Sequence, residues 1–321
     1  MTNARNLADV GRIEGLSLDN AIINGNFDIW QRGTSFTGVP SVLTYFADRW
    51  SADRNGTGAT VNVSRVDFAL GQTDVPNNPS HYINYEVTTA GSGETFHFLG
   101  QRIESVETFA GETVTVSFYA KASSAVSLGV GLVQNFGSGG SPSVSVATTI
   151  GSYNLTTSFQ KFTGTVTLPS VSGKTLGTDG RDRLILFFDM PKDTTFDLDI
   201  AQVKLEAGSV ATPFRPRPIG EELALCQRYY WKGLPFETFN MGAYSANVFQ
   251  TMSFGFPVTM RAKPTIQTDF SGATFSNGLT LVNVAAQTQH GSRILFQATQ
   301  ITTNANVLFG ASDFITADAE L

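Results

Sequence analysis

The sequence is poor in cysteine, charge and histidine, and each shortage removes a class of protein. A single cysteine, Cys226, in 321 residues cannot build an internal disulfide framework and leaves no cysteine cluster for zinc. Only 15% of residues are charged, the net charge is −6, and the 21 Lys and Arg form no basic run. That distribution excludes nucleic-acid binding, which needs clustered cations to neutralise phosphates. No apolar stretch approaches the length of a membrane span, so membrane insertion is excluded. Residues 1–11 carry charges where a secretory leader would have its apolar run, so the expectation is a protein made in the cytoplasm without a signal peptide. The three histidines, His81, His97 and His290, lie far apart with no HExxH, GxSxG or Cys/His arrangement around them, and no phosphate-cradling glycine loop precedes a helix.

What the chain does have is glycine, 31 residues, and phenylalanine, 25 residues, among abundant Thr, Ser and Val. This is the composition of many short strands joined by tight turns, an all-β protein. Residues 113–121 alternate Val114, Val116, Phe118 and Ala120 with Thr113, Thr115, Ser117, Tyr119 and Lys121, which predicts a strand with one wet face. Residues 161–168 repeat the pattern through Phe162, Val166 and Leu168. Residues 183–190 (RLILFFDM) are apolar on both faces and predict a central strand covered twice. In residues 196–205 the apolar phase restarts at Val203, predicting a β-bulge near Ala201 and Gln202. Residues 137–143 and 172–180 are rich in Gly and Ser without alternation and predict long surface loops.

Pro213, Pro216 and Pro218 mark a stiff boundary. The spacing of Ile219, Leu223, Cys226 and Tyr230 then predicts a short helix within residues 219–231, and strands return beyond Phe236. The expected organisation is a segment of residues 1–20, a β domain of residues 21–218, and residues 219–321 as a short helix with a smaller β domain. In residues 1–20, Leu7, Val10, Ile13, Leu16 and Leu18 are too few and too interrupted by Gly11 and Gly15 to bury themselves, so the segment is expected to attach to a partner.

Three stretches carry a resemblance. They are Asn24-Gly25-Asn26-Phe27-Asp28 followed by Ile29-Trp30-Gln31-Arg32-Gly33; Ala47-Asp48-Arg49-Trp50; and Leu205-Glu206-Ala207-Gly208-Ser209 running through Ala211-Thr212-Pro213-Phe214 into 222–230 (ELALCQRYY). In this order, over roughly residues 21–230, they resemble a family of phage virion and tail-fibre proteins with a carbohydrate-binding-module-like (galactose-binding-like) jelly roll at the front. The resemblance implies two antiparallel sheets and a place in an assembled virion made in the host cytoplasm. Members of the wider group often hold a structural calcium between an acidic residue after the Asn-Gly-x-Phe motif and an Asp pair in the last strand. Asp28 occupies the first place, while Ala201 and Gln202 stand at the second, so chelation is expected to change stability little.

For glycan binding, aromatic faces are needed with a few polar groups beside them. Trp30, Tyr45, Trp50, Tyr119 and Tyr153 supply candidates: Trp30 and Trp50 sit in the fold-defining motifs, Tyr119 on the wet face of its strand, and Tyr153 in a polar connection. No carboxylate pair is marked as a glycosidic acid and base. The sequence therefore points to a non-enzymatic tail-fibre or appendage subunit that recognises a host-surface glycan or docks on other virion proteins through residues 1–20. A glycan depolymerase on the same scaffold, or a capsid decoration or head-fibre protein without a receptor, are the alternatives. Apolar faces at residues 248–256 and 293–299 predict a homotrimer.

Overall fold

The computed structural model describes residues 20–234, 238–243, 247–276, 279–298 and 302–321. The attachment segment expected at residues 1–20 lies outside them, except for Asn20. The chain divides into two compact units, one of residues up to Ile219 together with Leu321 and one spanning Gly220–Glu320.

Twelve strands build the first unit: β1 (Ser35–Phe36), β2 (Thr44–Tyr45), β3 (Trp50–Arg54), β4 (Thr60–Asp67), β5 (His81–Thr89), β6 (His97–Glu104), β7 (Thr113–Ala122), β8 (Val126–Asn135), β9 (Val146–Leu155), β10 (Gln160–Thr167), β11 (Arg183–Asp189) and β12 (Phe196–Ala207). They pair antiparallel into two six-stranded sheets, sheet A in the order β1-β4-β5-β12-β7-β10 and sheet B in the order β2-β3-β6-β11-β8-β9. The inward residues of both sheets form one core around Trp50, Tyr85, Phe118, Leu132, Leu186, Phe188 and Ile200. The first unit is thus the expected jelly-roll β-sandwich, with alternate residues of each strand turned to a shared interior.

The sequence motifs wire this sandwich together. Asn24 donates to the Ile29 and Asp48 carbonyls at 2.8 and 3.0 Å and accepts from Ile29 N at 3.0 Å, closing the Asn-Gly-x-Phe turn. Trp50 Nε1 donates to Asn24 O at 3.0 Å, and Trp30 Nε1 to Phe27 O at 2.7 Å. The turn rides on the predicted bulge of β12, where the register against β7 shifts between Ala201 and Lys204 and Gln202 takes a φ of 48°. Gly25 is required there, because a Cβ would stand 2.2 Å from Val203 O while Val203 N donates to Gly25 O at 2.8 Å. Asn20 belongs to the sandwich as well: its amide accepts from Ile22 N and Leu205 N and donates to Val203 O.

Two local expectations need correction. The face of β7 expected to be wet is buried at Thr115 and Ser117, because the residues beyond β12 fold back over it. Thr212 N and Oγ1 donate to Glu206 at 2.9 and 2.6 Å, and Lys204, 1% exposed, lies 3.0 Å from Glu206 and donates to Thr212 and to Pro213 O. The strand at residues 183–190 is central, between β6 and β8, but covered on one face only: Leu184, Leu186 and Phe188 are buried while Ile185 and Phe187 stay half-exposed. The two glycine-rich stretches are surface loops, as expected, and they are tied to one another. Ser143 N donates to Thr175 O, Gly177 N to Phe136 O and Thr178 N to Ser138 O, and Asp179 accepts from Ser138 N, Ser138 Oγ and Arg181 N. Those bonds hold the Asp179 carboxyl down at about 2.

The second unit opens with α1 (Ile219–Gln227), whose first turn carries Glu221 and Glu222 at the positive end of the helix dipole. The helix stops short of the predicted Tyr230. Tyr229 N turns back to Cys226 O, and Tyr230 and Trp231, both strand formers, open the next strand opposite Asp318 and Ala317. Among the described residues nine strands follow: β13 (Tyr230–Gly233), β14 (Thr238–Ala243), β15 (Val248–Gly255), β16 (Thr265–Asp269), β17 (Thr274–Phe275), β18 (Leu279–Thr288), β19 (Gly291–Ala298), β20 (Thr302–Leu308) and β21 (Phe314–Asp318). They form three three-stranded sheets around Met260, Ile294, Phe296, Val307, Ile315 and Ala317.

Candidate glycan-binding face

The pairing registers lay out the solvent side of sheet B as a grid. One row crosses it as Tyr45, Ser51, Gly100, Phe187, Gly131 and Thr149. The neighbouring rows are Asp53, Phe98, Asp189, Gly129 and Ser152 on one side, and Arg102, Ile185, Val133 and Ala147 on the other. Phe187 is the centre. A Cβ on Gly131 would stand 2.6 Å from Phe187 Cζ, so the ring edge lies down over the space that glycine leaves. Phe98 packs beside it with ring centroids 5.0 Å apart, and Phe96 continues the row at 5.8 Å from Phe98.

Polar groups border this apolar strip. Arg102 donates to Ser51 Oγ at 2.6 Å and lies 3.5 Å from Asp53 Oδ2; its side chain is 9% exposed against 40% for Asp53. The buried Nε atoms of Arg102 and Arg183 have no hydrogen-bond partner. Arg183 is pushed below its ordinary pKa by burial first and then by the charge of Arg102. At the far side Lys192 Nζ donates to Asp189 Oδ1 at 2.6 Å. Tyr45 has the Arg32 guanidinium 5.2 Å from its ring centre. An apolar ring strip bordered by fixed donors and carboxylates can stack on the hydrophobic side of a sugar and bond its hydroxyls.

Of the residues singled out from sequence, Tyr45 alone lies on this grid. Trp50 is corrected: it points into the core at 0% exposure, 4.9 Å from the Phe27 ring, and cannot meet a ligand. Tyr153 is corrected too. It sits in edge strand β9 rather than a polar connection, turned inward against Phe118 and Phe162, with its hydroxyl donating to Thr163 O at 3.0 Å. Tyr119 lies half-buried on the outer side of sheet A, remote from the grid in the layered fold, and burial raises its hydroxyl. The Asp28 carboxylate is engaged by Asn26 Nδ2 and His81 Nδ1, both at 2.8 Å, and His81 Nε2 reaches Asp67 Oδ1 at 3.3 Å. Opposite, Gln202 spends its amide on Pro76 O. Among the described residues no group of three His, Cys, Asp or Glu gathers as a metal ion could use.

Phe96, Phe98, Phe187, Arg102 and Asp53 were not singled out from sequence. The signal was the alternation of glycine with core residues in Leu128-Gly129-Val130-Gly131-Leu132, which bares one face of a strand beside the second apolar face of β11.

No protein-family model matches the sequence, and no curated protein matches it. Among solved structures, a family 4 carbohydrate-binding module is similar at 18% identity and a TM-score of 0.33, covering 58% of this chain and 98% of its own. TmCBM61, solved in complex with β-1,4-galactotriose, is similar at 10% identity and a TM-score of 0.35, covering 59% and 99%. The enzymatically active domain of tailspike protein 4 of bacteriophage CBA120 is similar at 16% identity and a TM-score of 0.35 over 59% of this chain, which spans 21% of that one. At these values neither ligand nor activity passes from those proteins to this one. Among the described residues no helix is long and apolar enough to cross a membrane.

Proposed function

We propose that this chain is a non-enzymatic, glycan-binding structural subunit of a phage particle, acting in host-surface recognition with the outer face of sheet B as its binding surface. The observation that carries the glycan reading is the Phe187 ring laid over Gly131 in a strip bordered by the Arg102–Asp53 and Lys192–Asp189 pairs. The place in a tail fibre or appendage rests on the Asn-Gly-x-Phe, Ala-Asp-Arg-Trp and Leu-Glu-Ala-Gly stretches, as does attachment to other virion proteins through residues 1–20. Assembly as a homotrimer is part of the same reading, supported by Phe249, Val282 and Leu308, which stand exposed in the second unit.

A depolymerase draws less support. Asp53 and Asp189, the carboxylates nearest the strip, are separated by Phe98 in their row, and each is held by a cation rather than set in an apolar pocket.

The test is retention on a glycan array and on immobilised polysaccharides. Phe187→Ala is expected to weaken retention about tenfold or more, about 1.4 kcal/mol, with the melting temperature nearly unchanged because the ring is half-exposed. Product release from a retained polysaccharide, or retention unchanged in both Phe187→Ala and Phe98→Ala, would overturn the reading.

A further inference from the structure

The outer face of sheet A places a carboxamide, a carboxylate and an ammonium in one cross-strand row. Asn84 on β5 pairs with Asp199 on β12, and Asp199 pairs with Lys121 on β7. Asp199 is the bridge: Asn84 Nδ2 donates to its Oδ1 at 2.8 Å, and Lys121 Nζ lies 3.3 Å from its Oδ2. Asn84 Nδ2 also donates to Asp197 Oδ1 at 2.6 Å, which fixes the plane of the carboxamide.

Lys121, whose side chain is 31% exposed, turns its Nζ to Asp199 on β12, with the Phe159 ring centre 4.9 Å away on one side and that of Tyr82, two residues before Asn84 on β5, 5.7 Å away on the other. Phe68 closes the cluster, 4.6 Å from Tyr82 and 5.4 Å from Phe159 between ring centroids. Under these rings the Asp199 side chain is only 13% exposed. Burial raises its carboxyl above the ordinary range against the opposing pull of Asn84 and Lys121, and burial raises Tyr82 to about 12. These groups are turned on one another, so a glycan or a metal finds little to bind. An amine, an amide carbon and a shared acid held by three neighbouring strands are instead the components of an acyl transfer.

We propose that Lys121 and Asn84 join in an intramolecular isopeptide bond across β12, with Asp199 carrying the protons. Asp199 takes a proton from the Lys121 ammonium, and the freed Nζ lone pair attacks Asn84 Cγ. Asp199 then returns the proton to Asn84 Nδ2, the Cγ–Nδ2 bond breaks, and ammonia leaves as the Nζ–Cγ amide forms. The second proton from Nζ leaves with it, as ammonium, so one lysine ammonium and one carboxamide become one secondary amide and one ammonium ion. No oxidant, reductant or cofactor is consumed. Strands β5 and β7 stand about 10 Å apart at two strand spacings, a gap an extended lysine closes when joined to an asparagine. The bond closes a ring of chain from 84 to 121 that passes through β6, so a link within sheet A also ties in a strand of sheet B.

Intact mass spectrometry of the full chain, followed by peptide mapping, tests this. The expected result is a mass lower by one ammonia and a branched peptide joining Lys121 to Asn84. Lys121→Arg, which keeps the charge, and Asp199→Asn, which keeps the shape, should show the full mass and separate linear peptides, with a lower melting temperature. Asn55–Gly56 can lose the same ammonia as a succinimide, so an ammonia loss that maps there or persists in Lys121→Arg overturns the proposal. Loss of water with Lys121 joined to Asp199 overturns the assignment to Asn84. Full mass in the folded wild-type protein, with Lys121 and Asn84 recovered in linear peptides, overturns it outright.

Discussion

Acidification tests the sandwich interior at one residue. His97 on β6 is 1% exposed, and its Nε2 lies 2.8 Å from the Tyr85 hydroxyl, itself fully buried. On the other side Nδ1 is 3.4 Å from Glu94 Oε2, too long for a strong hydrogen bond, and Arg54 sits 3.3 Å from the same carboxylate. Burial lowers the His97 pKa below the ordinary histidine range. Arg54 and Lys192 push the same way, and Glu94 opposes. A lowered pKa means that the unfolded chain takes up the proton more readily than the folded one. Stability is therefore complete above about pH 6.5, the ordinary histidine value, and drains as pH falls through it. Once charged, the imidazole can only donate at Nε2, so the Tyr85 hydroxyl proton has no acceptor there, and a buried polar group left without its partner costs about 1–3 kcal/mol. For a domain of this size that is a fall in melting temperature of roughly 2–12 °C. Calorimetry between pH 7.5 and 5 should show the fall in the wild type and lose most of it in His97→Gln, which keeps an acceptor but does not titrate. Asp199, raised by burial, has the opposite sign and adds stability on acidification, so the difference between the two proteins is the quantity to read. Asp179 and Asp269 are held low by hydrogen bonds and contribute losses only below about pH 4. An equal change of melting temperature with pH in the wild type and in His97→Gln would refute the assignment of a neutral buried imidazole.

Gly25→Ala should destabilise the first unit by about 1–3 kcal/mol or more, since its Cβ would meet Val203 O at 2.2 Å, whereas Gly220→Ala, with open space around it, should be neutral or slightly stabilising; urea denaturation compares the two. EDTA should leave the melting temperature within about a degree, because Asn26 and His81 already engage Asp28; a large drop restored by calcium would show that other oxygens complete a site. Light scattering on the full chain should give a trimer mass, and a monomer at micromolar concentration would remove the homotrimer from the proposed function.

Strand positions were legible because alternation reports burial directly. The bulge at Ala201 and Gln202 could be read from a single break in the apolar phase, and the all-β character followed from composition. Other features depended on contacts that no local pattern records. Thr115 and Ser117 look solvated in sequence and are buried because Thr212 and Pro213, almost a hundred residues later, return over Lys204 and Glu206. Tyr230 fits a helical spacing yet pairs with Asp318 near the chain's other end. The candidate site was missed for a related reason. The search favoured Trp and Tyr, which this sandwich uses at Trp50 and Tyr153 to fill its interior, while the exposed rings are phenylalanines made accessible by glycines on adjacent strands.

The pairing of residues 136–143 with 175–179 constrains how this protein can diversify. Independent recognition loops can change length one at a time, but here an insertion near Ser138 separates it from Asp179, and an insertion near Thr175 separates it from Ser143. Any change in one loop has to be matched in the other, which makes that end of the sandwich slow to adapt. The connection between β4 and β5 carries no such partnership at its tip, where Leu70 stands fully exposed beside Gly71. An inserted epitope or a randomised segment is better accommodated there than in either of the glycine-rich stretches whose composition alone would recommend them.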